Sequence, residues 1–179
     1  MLASKSSQGA ACAIAAYGFW GLIPIYFKLV ESADAGEILA HRIVWTVVLL
    51  LIALALMGKL GELKNTLTTL SKLKPLLLSS LLVSTNWLIF IWAINSERIL
   101  ETSLGYYINP LVSVFLAMVV LKEELNRLQW IAIAIAALGV LNQLVSFGQP
   151  PIVALSLAIT FAGYGLVRKK ISVNPFVGL

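Results

Sequence analysis

Six apolar stretches follow one another along this chain, at about residues 8–28, 38–57, 76–95, 103–121, 128–147 and 151–167. Each is long enough to cross a bilayer as one helix, since a span takes roughly 20 apolar residues. In lipid every backbone N–H and C=O needs a partner inside the protein, and a segment of this length meets that demand alone only as a helix. None of the stretches alternates polar and apolar residues as a half-buried strand does. The expectation is therefore an all-α transmembrane multi-helix bundle, with short connections that make neighbours antiparallel. Composition agrees: 60% of residues are hydrophobic and 12% charged, against about 45–50% and about 25% in soluble domains.

The same counts exclude other classes. The net charge of +5 comes from cations set between apolar segments, not from a basic run interleaved with aromatics, so no nucleic-acid partner is expected. One cysteine, Cys12, cannot form an internal disulfide. One histidine leaves no cluster with metal-ligand spacing, and no cofactor site is legible. There is no GxSxG, no HExxH and no pair of intramembrane aspartates, so an enzyme is not expected. Lys5 precedes an apolar run as in a signal peptide, but the run continues to about Lys28 without a small-x-small exit site, so it reads as a retained span.

Cations sort between the two ends of the expected bundle. Lys5, Lys59, Lys64, Lys72, Lys74, Lys122, Arg127, Arg168, Lys169 and Lys170 make ten on one side; Lys28, Arg42 and Arg98 make three on the other. Positive loops stay in the cytoplasm, which places the N-terminus inside. In the lysine-rich connection 59–75, Leu60, Leu63, Leu67, Leu70 and Leu73 recur every three or four residues. That spacing suits a short amphipathic helix lying on the inner leaflet, its lysines near anionic headgroups; a plain connector is the alternative. Glu123 and Glu124 read as charges at the start of the fifth span, where a helix N-terminus favours acidic groups.

Several residues do not belong in a plain span. Pro110 cannot donate to the carbonyl of Tyr106, nor Pro24 to that of Trp20, so each proline marks a helix kink. Asn109 lies near the middle of the fourth span and Asn86, beside Trp87, near the middle of the third. Trp20, Trp45 and Trp87 sit deeper than the headgroup level that tryptophan usually occupies, whereas Trp130 fits it. Polar, aromatic and kinked residues at one depth suit a chamber near the midplane. The plainer reading of each asparagine is a hydrogen bond to a neighbouring helix, for about 0.6–2 kcal/mol. Glu37 and His41, four apart on one helix face, enter the second span with Arg42 beside them. Ionisable groups at that place suit an ion or substrate path, with His41 able to relay protons, or an interfacial anchor.

Trp20-Gly21-Leu22 in the first span is echoed by Tyr164-Gly165-Leu166 in the sixth, each followed by a basic end. The second copy comes five spans after the first, an odd offset that inverts it relative to the first, an arrangement found in transporters. The stretches YGFWGLIPIYFKL (17–29), EILAHRIVW (37–45), NWLIFIWAIN (86–95), SLGYYINPLV (103–112), LKEELNRLQW (121–130) and YGLVRKK (164–170) together resemble the EamA family of the drug/metabolite transporter superfamily. The resemblance covers nearly the whole chain in the same order. It implies a bacterial inner-membrane carrier with ten helices in two inverted five-helix halves, mostly exporting metabolites or drugs. Residues 1–147 then match the first half and 151–179 the sixth span and the start of the second. The family's glycine-glutamate pair after the fourth span is met at Glu123, but Lys122 replaces the glycine, which implies a looser turn.

These observations imply a secondary transporter that exports a small solute, amino-acid-like or chloramphenicol-like, by alternating access. The alternative is a non-transporting membrane protein held together by the same polar residues. The expected substrate pathway is Trp20, Asn86, Trp87, Tyr106, Tyr107 and Asn109, with His41 and Arg42 at the outer mouth or in ion coupling, and the expected partners are the bilayer, a small solute and a proton. The chain ends at Gly178-Leu179, before a second half is complete. The resemblance thus makes the missing C-terminal half of the same carrier a further partner, without which transport is not expected.

Overall fold

A computed structural model describes residues 5–171 and 173–178; the side chains of Lys5, Ser6 and Pro175 and the whole of Leu179 lie outside the described residues. The helices are α1 (Lys5–Leu29), α2 (Ala35–Leu56), α3 (Leu60–Thr68), α4 (Leu70–Asn95), α5 (Ile99–Leu121), α6 (Arg127–Phe147), α7 (Ile152–Lys170) and α8 (Pro175–Gly178). Among the described residues there is no strand. Six of the helices, α1, α2, α4, α5, α6 and α7, are long and apolar enough to span a membrane, so the chain is an all-α transmembrane protein.

The boundaries follow from local chemistry. Asp34 opens α2 by accepting the Gly36 N–H at 2.7 Å, as an N-cap does. Connection 59–75 is not one helix. The hydroxyls of Thr68 and Thr69 donate to the carbonyls of Lys64 and Asn65, at 3.0 and 2.7 Å, and Thr69 turns extended. Leu60, Leu63 and Leu67 therefore lie on α3, while Leu70 and Leu73 begin α4 six residues before the expected start of the span. Pro75 sits inside α4 and removes only the bond to the exposed Ser71 carbonyl.

The expectation that Glu123 and Glu124 start the fifth span is corrected. α6 begins at Arg127 behind a capping box, in which Asn126 and Gln129 each accept the other's backbone N–H at 2.9 Å. That pair satisfies the orphan donors at the helix start, and Glu123 instead pairs with Lys169. Lys122 closes α5 in the left-handed region, φ 55°. Lysine thus holds the conformation that glycine adopts freely at this turn.

Both α1 and α5 run unbroken through Pro24 and Pro110. The core is made by α7 seated against α4 and α5, with α2 and α1 packed on α4. Phe27, Ala35, Ile38, Phe90, Ile91, Ile94, Val153 and Leu157 share one buried cluster; Leu104, Ile108, Ala154 and Ala158 share another. Small residues allow the close approach. A Cβ on Gly105 would meet the Ala154 carbonyl at 3.1 Å and the Leu157 Cβ at 3.2 Å, and Ala154, Ala158 and Ala162 repeat every fourth residue along the buried side of α7. Small residues are how membrane helices pack closely, because lipid offers no hydrophobic drive between them.

Cation-bearing loops gather at two ends. Lys169–Glu123 and a 3.3 Å hydrogen bond from Asn174 to Glu62 join the lysine-rich end. At the other end Lys28 pairs with Glu31 at 2.8 Å and reaches Glu97 at 3.7 Å, and Arg98 pairs with Glu101 at 2.5 Å.

Candidate functional site

The candidate site begins with four rings in a row. On α4, Trp87 and Phe90 are three residues apart and so share a face. Trp20 from α1 stacks on Trp87 with centroids 4.9 Å apart. Trp87 meets Phe90 edge to face at 5.9 Å, and Phe90 meets Tyr106 of α5 in the same way at 6.1 Å. Phe27 of α1 joins Phe90 at 6.2 Å. Offset and edge-to-face contacts of this kind each contribute about 0.5–1.5 kcal/mol beyond burial.

Arg42 of α2 lies over this row. Its guanidinium carbon is 3.5 Å from the Trp87 centroid and 5.6 Å from that of Phe27. No carboxylate neutralises it among the described residues, and its Nη1 is buried without a hydrogen-bond partner. A desolvated cation over tryptophan gains about 2 kcal/mol, so the ring does part of the work of an absent anion. Arg42 also lines a cleft of about 420 Å³ between α1 and α2, together with Tyr26, Glu37, His41, Trp45 and Thr46. Glu37, His41 and Arg42 thus share one cleft, with His41 exposed.

The two asparagines lie in a second place. A crevice between α4, α5 and α7 is lined by Asn86, Phe90, Thr102, Gly105, Tyr106, Asn109, Leu157 and Phe161, with a free volume of about 10 Å³. That is room for one water molecule, so this arrangement of helices is closed to any larger solute. Asn86 donates from Nδ2 to the Leu157 carbonyl and to the Thr160 hydroxyl oxygen, both at 2.9 Å. It is buried and joins α4 to α7, which is the helix-bonding role. Asn109 is half-buried and accepts the Ser113 hydroxyl at 3.4 Å.

Of the residues expected along the pathway, Trp20, Trp87 and Tyr106 come together in the ring row, and Asn86 and Asn109 line the crevice beside Tyr106. Tyr107 does not join them. It is 64% exposed, because successive helical residues point about 100° apart. Three residues went unread in the sequence. Phe27 and Phe90 looked like ordinary apolar positions, although Phe90 stands one turn after Trp87. Glu101 lies just outside the fourth apolar stretch, which begins at Ser103, whereas α5 begins at Ile99 and buries it to 5% exposure.

Comparison with known proteins adds the following. Residues 7–144 match the EamA-like transporter family. The chain is 48% identical to Protein RarD of Salmonella typhi, covering all of this chain and 61% of that protein. It is 50% identical to an uncharacterized transporter of Vibrio cholerae, over 97% of this chain and 58% of that protein. It is 30% identical to the Chloramphenicol-sensitive protein RarD of Pseudomonas aeruginosa, over 97% of this chain and 59% of that protein. The chain thus spans about three fifths of the length of these relatives. No solved structure matches it.

Proposed function

The chain belongs to the EamA-like transporter family, and from that premise we propose that it supplies part of a secondary carrier exporting a small metabolite or drug by alternating access. Residues 1–147 form the first five-helix half, and residues 151–179 open the second, inverted half. The remainder of the carrier completes the path. The lysine-rich end faces the cytoplasm of a bacterial inner membrane, following the ten-to-three division of cations. The solute enters or leaves past His41 and Arg42, passes Trp20, Trp87 and Tyr106, and reaches Asn109 when the helices separate.

The observation that carries this reading is the Arg42–Trp87 contact at the head of the row Trp20–Trp87–Phe90–Tyr106. A cation without a counter-ion in a membrane span is a functional group by default. Here it opens on a cleft large enough for a small solute and continues into ring faces on which that solute can stack.

The test uses the full-length carrier in cells lacking their own copy. Export of chloramphenicol, suggested by the name of the Pseudomonas relative, and of amino acids is compared for wild type, Trp87→Ala and Tyr107→Ala, with membrane levels measured. Trp87→Ala is expected to cut export at least tenfold at an unchanged level, and Tyr107→Ala to leave it near wild type. Equal export by wild type and Trp87→Ala removes the row from the path.

A second reading, an integral membrane protein whose polar residues only join helices, is favoured at one position. Both bonds of the Asn86 amide nitrogen go to α7. On that reading Asn86→Ala lowers membrane level and export together.

A further inference from the structure

Glu101 is the only buried acidic side chain among the described residues. It stands in the first turn of α5, at the end of the bundle that carries Lys28, Glu97 and Arg98. Oε1 accepts from Arg98 Nε at 2.5 Å, while Oε2 is buried and has no hydrogen-bond partner among the described residues. A carboxylate oxygen withdrawn from water and left without a donor is costly. A purely structural ion pair need not leave it so, because the guanidinium fork can hold both oxygens at once. Here only Nε is engaged, and the Arg98 guanidinium lies 5.4 Å from the Trp92 ring centre.

The surroundings leave Arg98 as the counter-charge. The charged side chains of the helices packed against α5 are Lys72 and Lys74 on α4, Arg127 on α6, and Arg168, Lys169 and Lys170 on α7, all at the far end; Tyr164 lies in the far half of α7. Lys28 and Glu97 neutralise each other in part, at 3.7 Å, beside Arg98. On α5 itself, the next residue, Thr102, lines the crevice that holds Asn86, Tyr106 and Asn109.

We propose that Glu101 is the proton-accepting residue that couples transport to a proton gradient. The proposal rests on the carrier reading given above. A proton from water at the Lys28/Arg98 end adds to Oε2 and forms an O–H bond, while Arg98 stays on Oε1. The charge left bare at Oε2 is thereby removed, and the ion pair that ties the start of α5 weakens. α5 is then freer to separate from α7 and widen the crevice. The O–H bond breaks again when the bundle opens at the opposite end, and the proton passes to water on that side, so that one proton crosses the membrane per cycle. No other bond is made or broken.

The first test needs no transport substrate. Dicyclohexylcarbodiimide reacts with protonated carboxyls in apolar surroundings, and its adduct is mapped by mass spectrometry on the full-length protein in native membranes. The expected result is an adduct on Glu101 that is absent from Glu101→Gln and falls at least tenfold when the medium is made alkaline. No adduct at any pH overturns the proposal and leaves a structural ion pair.

The second test follows chloramphenicol, or whichever amino acid wild type moves, in everted vesicles. Glu101→Gln is expected to lose gradient-driven accumulation at least tenfold while keeping downhill exchange. Glu101→Asp keeps coupling with a displaced pH profile, which a merely structural role would not produce. Undiminished gradient-driven accumulation by Glu101→Gln also overturns the proposal. Should wild type move no probe, the carrier reading fails, and the adduct still decides the state of Glu101.

Discussion

α6 and α7 are consecutive spans joined by a short connection, yet they are built for different surroundings. α6 is the more apolar of the two and has no buried residue; α7 is less apolar and carries five, Val153, Ala154, Leu157, Ala158 and Ala162. Hydropathy therefore does not rank these helices by burial. It reports the preference for lipid over water, and both helices satisfy it. Place in the bundle is decided by what lets two backbones approach and by what bonds them: Gly105 against Ala154, and the Asn86 amide on Leu157 and Thr160. With lipid as apolar as leucine, only such packing and hydrogen bonds distinguish one helix neighbour from another.

The sharpest way to break the contrast is to enlarge a glycine on each side. Gly105→Val forces a side chain into the α5–α7 contact, where even a Cβ meets backbone oxygen at 3.1 Å. Overpacking of this kind costs about 1–3 kcal/mol. Gly139→Val on α6, with nothing within 4 Å of its Cβ position, is expected to be near neutral. Membrane level and unfolding by detergent titration of the full-length protein measure both. Equal damage from the two would show that α6 is packed as tightly as α7.

A smaller effect separates the polar residues. Asn86→Ala removes two hydrogen bonds between α4 and α7 and is expected to lose about 1–2 kcal/mol. Asn142→Ala, exposed on α6, is expected to change nothing in the same titration. The smallest effect belongs to the turn that links the packed region to α6. Lys122 is held at φ 55°, and a non-glycine residue there costs about 1 kcal/mol. Lys122→Gly relieves that strain while loosening the unfolded chain, so a net gain below about 1 kcal/mol is expected. A loss in the detergent titration would mean that the lysine side chain contributes more than the strain removes.

Much of the fold was legible because its causes are local. The six apolar stretches, and the cations placed between them, are matters of residues that follow one another along the chain. The short helix α3 was half legible: the leucine spacing was regular through Leu73, but the Thr68 and Thr69 hydroxyls ended the helix early by bonding back to the preceding turn. Glu123 and Glu124 misled because a charge near a helix start is a weaker signal than an Asn-x-x-Gln box three residues later. In the candidate site, Trp20, Trp87, Tyr106 and Arg42 stood out as residues unsuited to lipid. Phe27 and Phe90 did not, because phenylalanine is at home there and only its neighbours give it a part in the row.

The sequence by itself determined that the chain crosses a membrane as helices, how many described segments are fit to do so, and which loops share an end, because hydropathy and charge add up along the chain regardless of what lies beside it. Tertiary structure alone decided that Asn86 bonds α7 while lining the crevice, that Tyr107 turns away while Tyr106 stays, and that Glu101 is enclosed with one oxygen bare. Each of these depends on the rotation of one helix against another. That rotation is set by small-residue contacts such as Gly105 on Ala154, between positions about fifty residues apart, and no local pattern in the chain encodes which way a helix turns.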